Sequence, residues 1–245
     1  MDALKFKRVE MKYLLTREQY TKIQEEILKH GMEKDKYYFC TIQSLYYDTP
    51  NKRLIRRSLE KPEYKEKLRL RGYGIVEENQ KAFLEIKKKY DGIVYKRRID
   101  LSEGDAMEFM RNKSIHQTSQ IGREIEYFRD YYENLEPSML VIYDRFSYGQ
   151  PNSDLRITFD TNVRYRTTDL TLSRALYGTL ILSYDYAIME IKTAVGMPLW
   201  LCHLLSEMKI YKSSYSKYGT AYKLESEKEI LLWTFLHQFL KVQLV

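Results

Sequence analysis

Apolar and polar residues alternate with a period of two through much of this chain, and one side of each alternating run is charged. Residues two apart in a strand share a face. Eight segments read as strands on this pattern: Lys5–Leu14, Thr41–Asp48, Glu63–Tyr73, Ala82–Tyr90, Gly92–Ile99, Leu140–Ser147, Leu155–Asp160 and Tyr184–Lys192. Asp91-Gly92 is a hairpin turn signal between two of them. Between the strands the period lengthens. Thr16 to Gly31 predicts a helix, with Thr16 as N-cap, Gln19 three residues on, and apolar Tyr20, Ile23, Ile27 and Leu28 on one face. Leu101 to Arg111 (capped by Ser102), Gly122 to Leu135, Thr171 to Thr179, and Leu199 to Met208 behind Pro198 are further predicted helices. The fold class is therefore α+β, an antiparallel sheet or barrel decorated by helices.

Sorting each strand by face separates bases from core. Arg8, Glu10 and Lys12 oppose Val9, Met11 and Tyr13; Lys65, Lys67, Arg69 and Arg71 oppose Leu68 and Leu70. Glu85, Lys87 and Lys89 oppose Leu84 and Ile86, Arg156, Thr158 and Asp160 oppose Leu155, Ile157 and Phe159, and Glu190 and Lys192 oppose Met189 and Ile191. A solvated sheet face mixes signs and carries Thr, Ser and Gln, whereas these faces are cation-rich with one acid among several bases. In a closed barrel wrapped by helices the charges point inward, where only water and a polyanion make them tolerable. That arrangement is a tunnel for phosphate chains, whose oxygens accept the forked hydrogen bonds of arginine. Glu10, Glu85 and Glu190 are the candidate ligands for Mg²⁺ or Mn²⁺, hard cations that take carboxylate oxygens.

Composition narrows the picture modestly. The chain has 245 residues, with 41 Lys and Arg against 34 Asp and Glu, a formal charge of +7. The basic balance points to an anionic partner: nucleic acid, acidic lipid or a phosphorylated small molecule. No Ser/Gly/Pro-rich linker divides residues 1–245, so one domain is expected. Cys40 and Cys202 are far apart and lack metal-ligand spacing, which favours a reducing, cytoplasmic setting. The start of the chain has no apolar core of a signal peptide, and no apolar run is long enough to span a membrane. The apolar segment Ile230–Val245 is broken by Thr234, His237, Gln238, Lys241 and Gln243, so residues 225–245 read as a docked amphipathic helix. His30, His116, His203 and His237 are scattered without an acid or Cys at useful spacing, and the 23 tyrosines alternate with apolar residues as core lining does.

The segments Glu10-Met-Lys-Tyr13, Ser44-Leu-Tyr-Tyr-Asp-Thr-Pro50, Tyr64-Lys-Glu-Lys-Leu-Arg-Leu-Arg71, Phe83-Leu-Glu-Ile-Lys-Lys-Lys89, Val94-Tyr-Lys-Arg-Arg98 and Met189-Glu-Ile-Lys192 together resemble the VTC domain. This is the polyphosphate polymerase domain of the triphosphate tunnel metalloenzyme (CYTH-like) superfamily, and the likeness runs in order from about residue 5 to residue 223. The resemblance implies an eight-stranded antiparallel tunnel closed as a barrel, a Mn²⁺ or Mg²⁺ ion, and growth of polyphosphate from ATP. Residue by residue, it implies that Lys12, Arg69, Arg71, Lys87, Arg145, Arg156 and Lys217 hold phosphates and that Glu190 binds the metal. Lys65, Lys67, Lys89 and Arg98 are further substrate-binding candidates.

One position departs from the superfamily's hydrolases, which open on Glu-x-Glu-x-Lys. Here Arg8-Val-Glu10-Met-Lys12 puts a base where the first acid would stand, which weakens a two-metal site and favours a polymerase. A triphosphatase acting on tripolyphosphate or an organic triphosphate is the alternative enzyme, and a non-catalytic polyphosphate-binding module the alternative without chemistry. Nucleic acid is not the expected partner, since charges alternating within strands suit a narrow tunnel better than an open groove. A membrane partner that exports the product is left open.

Overall fold

The computed structural model describes residues 9–91, 93–194 and 196–242, with side chains in the last helix described for 217–228, 230 and 231. In chain order the elements are β1 (Val9–Thr16), α1 (Arg17–Lys29), β2 (Glu33–Asp48), α2 (Arg53–Leu59), β3 (Tyr64–Tyr73), β4 (Lys81–Tyr90), β5 (Ile93–Ser102), α3 (Glu103–Arg111) and α4 (Gln120–Tyr131). Then follow β6 (Glu136–Gly149), β7 (Arg156–Arg166), β8 (Thr179–Leu180), β9 (Tyr186–Thr193), α5 (Leu199–Glu207), β10 (Lys212–Ser213) and α6 (Lys217–Val242). All strand pairs described are antiparallel, in one sheet of order β10-β1-β9-β7-β6-β2-β3-β4-β5, with β8 alongside β7.

The expected closed barrel of eight strands is corrected here: among the described residues ten strands form an open sheet. Among these residues β5 pairs only with β4, and the far neighbour of β1 is the two-residue β10. The reason is local. β5 is exposed along most of its length and carries Lys96, Arg97, Arg98 and Asp100, the charged edge that keeps a strand from pairing further.

Local sequence sets most helix starts. Thr16 Oγ1 accepts from the Gln19 amide at 3.2 Å while Gln19 Oε1 accepts from the Thr16 amide at 2.9 Å, a complete capping box for α1. Ser102 and Ser119 cap α3 and α4 by accepting from Asp105 and Gly122 amides. The short α2 was not legible from periodicity, because its cap comes from a distance. The buried Asp48 carboxylate accepts from the Leu54 and Ile55 amides at 2.8 and 3.0 Å, and from the Tyr218 hydroxyl at 3.0 Å. One aspartate at the end of β2 thus fixes both α2 and the start of α6. That start lies at Lys217, earlier than the helix expected over 225–245, of which residues 243–245 and the side chains from 232 onward lie outside the described residues.

The helix expected over Thr171–Thr179 is not formed. That segment is a loop wound around Arg166, whose guanidinium donates to the carbonyls of Asp169, Thr171, Ala175 and Tyr177 at 2.8–3.1 Å. Carbonyls turned inward to one side chain cannot bond along a helix.

The core has three parts. Leu68, Leu70, Leu84 and Ile86 of β3 and β4 pack under Ala106 and Phe109 of α3 and Ile125 and Phe128 of α4. Met189 and Ile191 of β9 and Ile157 and Phe159 of β7 pack under Ile23 and Ile27 of α1 and Leu201 and Leu205 of α5. These two layers cover one face of the sheet. The third part lies on the opposite face, where Ile42, Tyr46, Val141 and Tyr143 meet Ile55 of α2 and Tyr218 and Ala221 of α6. No helix among the described residues is long and apolar enough to cross a membrane.

Candidate functional site: a basic trough on the concave sheet face

The face opposite the two helix layers carries nearly all the charges picked out above, and strand register sets them in rows. Lys12 lies across from Glu190, which lies across from Thr158; Glu10 faces Lys192, which faces Arg156. Arg145 sits between Cys40 and Asp160. On the other half, Arg69 pairs with Glu85, Lys67 with Lys87 and Lys65 with Lys89, while Lys96 and Arg98 of β5 stand across from Lys87 and Glu85.

This face is concave. Six strand spacings separate β1 from β4 along the sheet, about 29 Å if it were flat. Yet the Lys87 ammonium lowers the pKa of Glu10, and Lys12 lowers those of Lys67 and Lys87. The sheet therefore curls until β1 confronts β3 and β4, making a trough walled by strands and blocked at its apolar end by α2 and α6.

Two acidic centres organise the trough. At the first, Arg145 clamps Asp160 through Nε and Nη2 at 2.5 and 2.7 Å and reaches Glu190 at 3.2 Å. Lys217, on the first turn of α6, meets Asp160 at 2.5 Å and Glu190 at 3.6 Å, and Lys12 and Lys192 come within 3.4 and 3.7 Å of Glu190. Burial alone would raise the Glu190 pKa, but Lys217, Arg145, Lys12 and Lys192 outweigh it and hold the carboxyl well below its usual range. Burial likewise disfavours charge on Lys217 and Arg145, and the carboxylates overcome it and raise both. At the second centre, Glu85 is buried and receives Arg69 at 2.7 Å, Lys96 at 2.7 Å and Arg71 at 3.7 Å. Burial opposes its ionisation, yet the three cations pull its pKa down to about 2.

Between the centres the bases outrun the acids. Lys67 and Lys87 have no carboxylate within ion-pair distance among the described residues. Burial and neighbouring cations lower both, Lys67 to about 8. The Tyr46 hydroxyl sits 3.3 Å from Arg69 and its ring stacks on Tyr218 at 4.2 Å. Burial raises its pKa, but Arg69, Lys67 and Arg71 more than reverse this and hold it at about 8. Several buried polar atoms on the same face lack a hydrogen-bond partner, among them Arg71 Nε, Ser44 Oγ and Thr158 Oγ1. The oxygens of a bound anion would satisfy groups of this kind.

Strand alternation brought most of the expected side chains together: Lys12, Lys67, Arg69, Arg71, Lys87, Arg145 and Glu190 line the trough, and Lys217 joins them from the first turn of α6. Arg156 stands at its rim, half exposed and paired with Asp35 at 2.7 Å. Arg98 is exposed and lies over the Phe83 ring, and Lys89 and Lys65 extend the row along β4 and β3. Arg8 lies outside the described residues. Lys96 and Tyr46 were not picked out, although Lys96 shares the alternation of Val94 and Arg98. Lys192 and Asp160 were sorted onto charged faces without a role in the site, and the tertiary structure supplies their ion pairs. Of the histidines, His30 stacks on Trp200 and His116 contacts Glu126, a surface pair that sequence spacing did not suggest.

Glu10, Glu85 and Glu190 do not gather as one ligand set, and no cluster of three or more His, Cys, Asp or Glu suited to a metal occurs among the described residues. Glu85 belongs with Arg69, Arg71 and Lys96. Glu10 and Glu190 share a face on adjacent strands and repel one another. Carboxylate oxygens are the donors that a hard divalent ion takes, and Glu10 and Glu190 are the two acids that could offer them from one face.

Solved structures were found similar to this chain. A proposed adenylate cyclase from Bacillus halodurans superposes with a TM-score of 0.52 at 12% identity, covering 86% of this chain and 95% of its own. A second such protein from Vibrio parahaemolyticus gives 0.47 at 13% identity, covering 87% and 96%. The PH1819 protein of Pyrococcus horikoshii gives 0.44 at 17%, covering 89% and 99%. At such identities the Bacillus structure speaks for the fold alone. No curated protein matches the sequence. The family model for the VTC domain matches residues 7–225, nearly the whole chain, and the chain belongs to the VTC domain family.

Proposed function

We propose that the protein synthesises inorganic polyphosphate from ATP, transferring the γ-phosphoryl group to the end of a phosphate chain held in the trough. The observation that carries the reading is the excess of half-buried cations, with Lys67 and Lys87 lacking a carboxylate in ion-pair reach among the described residues and Arg71 Nε, Ser44 Oγ and Thr158 Oγ1 unsatisfied on one concave face. A polyanion supplies what all of them lack. In the transfer, a terminal oxygen of the acceptor chain forms a bond to the γ-phosphorus as the bond to the β-γ bridging oxygen breaks, releasing ADP. Such a reaction asks the protein mainly for alignment and charge stabilisation.

The chain's own residues fit those tasks. Glu85 fixes the Arg69 guanidinium, and Asp160 fixes Arg145 and Lys217, so three donors are oriented before substrate arrives. Preorganised donors stabilise developing charge without reorganising during the reaction. Lys12 and Lys87, near enough across the trough to repel one another, would hold the acceptor and donor phosphates between them. Glu10 and Glu190 would hold a Mg²⁺ or Mn²⁺ ion, which would supply positive charge to offset that of the phosphates. The test is incubation of purified protein with ATP and either ion, with product length read on a gel. A phosphate ladder beyond triphosphate with release of ADP is expected. Release of free phosphate alone would identify a triphosphatase instead.

A further inference from the structure

The trough face changes character where β3 ends and β4 begins. Phe83 stands directly across from Arg71 on β4, and Tyr73 follows two residues after Arg71 as the last residue of β3. Alternation puts both rings on the face that carries Arg69, Arg71 and Glu85. The rings meet edge to face with centroids 5.8 Å apart, and Tyr73 is 45% exposed at the mouth of the trough. What lies over them is charged rather than apolar. The Arg98 guanidinium of β5 sits 4.5 Å from the Phe83 centroid, and the Lys81 ammonium, paired with Asp100, sits 5.4 Å from it. The opposite end of the same two strands has no such rings on this face. There Lys65 stands across from Lys89, and Tyr64 and Tyr90 belong to the other face.

Resting on the reading proposed above, we infer that Tyr73, Phe83 and Arg98 form a ledge on which the base of the donor nucleotide stacks while its triphosphate lies on Arg71 and Arg69. The reach fits. Phe83 is one strand spacing, about 5 Å, from Arg71, and Tyr73 is two residues, about 7 Å, along β3 from it. A ribose bridges a gap of that size between a base and its first phosphate. A guanidinium held over a ring and an exposed phenol both offer flat faces to a third ring. A phosphate chain has no ring to lay there, so the ledge selects the nucleotide and sets the end of the trough that receives it. Arg98 then serves the base rather than a phosphate.

The experiment is calorimetry with the divalent ion omitted, comparing ATP with a ribose triphosphate that lacks the base and carries the same charge. The proteins are the wild type, Tyr73→Leu, Phe83→Leu and Tyr73→Phe. The wild type should bind ATP about tenfold more tightly, the lower part of the range for one stacked base. Each leucine variant should bring the ratio of the two affinities toward one while affinity for the base-free triphosphate holds, and Tyr73→Phe should keep the ratio. Tyr73 is exposed, so its leucine variant retains the fold and the test stands on it even if Phe83→Leu does not fold. Equal affinities in the wild type would overturn the ledge and leave the polymerase reading standing, and an unchanged ratio in Tyr73→Leu would overturn it too. A wild type that binds neither triphosphate would remove both readings. A preference for ATP lost in Tyr73→Leu, with no phosphate ladder formed from ATP, would keep the ledge and remove the polymerase.

Discussion

Lys217 and Asp160 meet at 2.5 Å across 57 residues of sequence, and the contact ties the first turn of α6 to the concave face of β7. Asp160 is fully buried and Lys217 nearly so. Removing one partner of a buried pair costs several kcal/mol because the other is left without its countercharge. Arg145 remains on Asp160 when Lys217 is lost, so Lys217→Met should destabilise by about 3 kcal/mol, the low end of that range. Asp160→Asn in the same chain should recover part of this, and urea unfolding of the single and double variants measures the coupling.

Glu190→Gln separates chemistry from grip. The substitution removes one negative charge with little change of shape, so the trough becomes more cationic. Affinity for metal-free polyphosphate should hold or rise. Turnover of ATP should fall about 10²-fold or more, as when one preorganised electrostatic contact is lost from a transition state. Wild-type turnover across a Mn²⁺ titration would take Glu190 off the list of residues serving the reaction.

The two faces of β3 make opposite predictions. Arg69→Ala and Arg71→Ala should each weaken polyphosphate binding by about 1.5–3 kcal/mol, the worth of a charged hydrogen bond. Leu68 and Leu70 are fully buried against α3 and α4. Each, cut to alanine, should leave the trough chemistry in place and cost about 2–5 kcal/mol of stability. Binding calorimetry and chemical denaturation on the same four proteins check both halves.

The pH dependence follows from lysines held near neutrality by burial. Lys67 and Lys96 have pKa values of about 8 in the folded chain against 10.5 for a free lysine. Between these values the unfolded state binds more protons than the folded one, so stability of the ligand-free protein should rise as pH rises from about 8 to 10.5. Binding runs the other way. Anion affinity should fall as pH passes 8, since the lysines lose their charge and the Tyr46 hydroxyl, also near 8, gains one. Polyphosphate binding just above pH 8 should therefore take up protons, which calorimetry in buffers of different ionisation enthalpy detects.

What the sequence determined by itself was the sidedness of each strand. Alternation is imposed by the backbone within a few residues, so Lys12, Arg69, Arg71, Lys87 and Glu190 could be sorted onto charged faces before any neighbour was known. The same locality made α1, α3 and α4 legible, because Thr16, Ser102 and Ser119 lie beside the amides they cap. The tertiary structure decided everything that depends on which strand stands next to which. It chose Arg69, Arg71 and Lys96 for Glu85 and Lys217 for Asp160, and it curled β1 over to face β4 while leaving β5 as a charged, unpaired edge. It also turned the segment after β7 into a loop around Arg166 and capped α2 from the end of β2 with Asp48. Each of these rests on a group reaching across space to a partner that no local period encodes, and sequence alone carries no record of such distances.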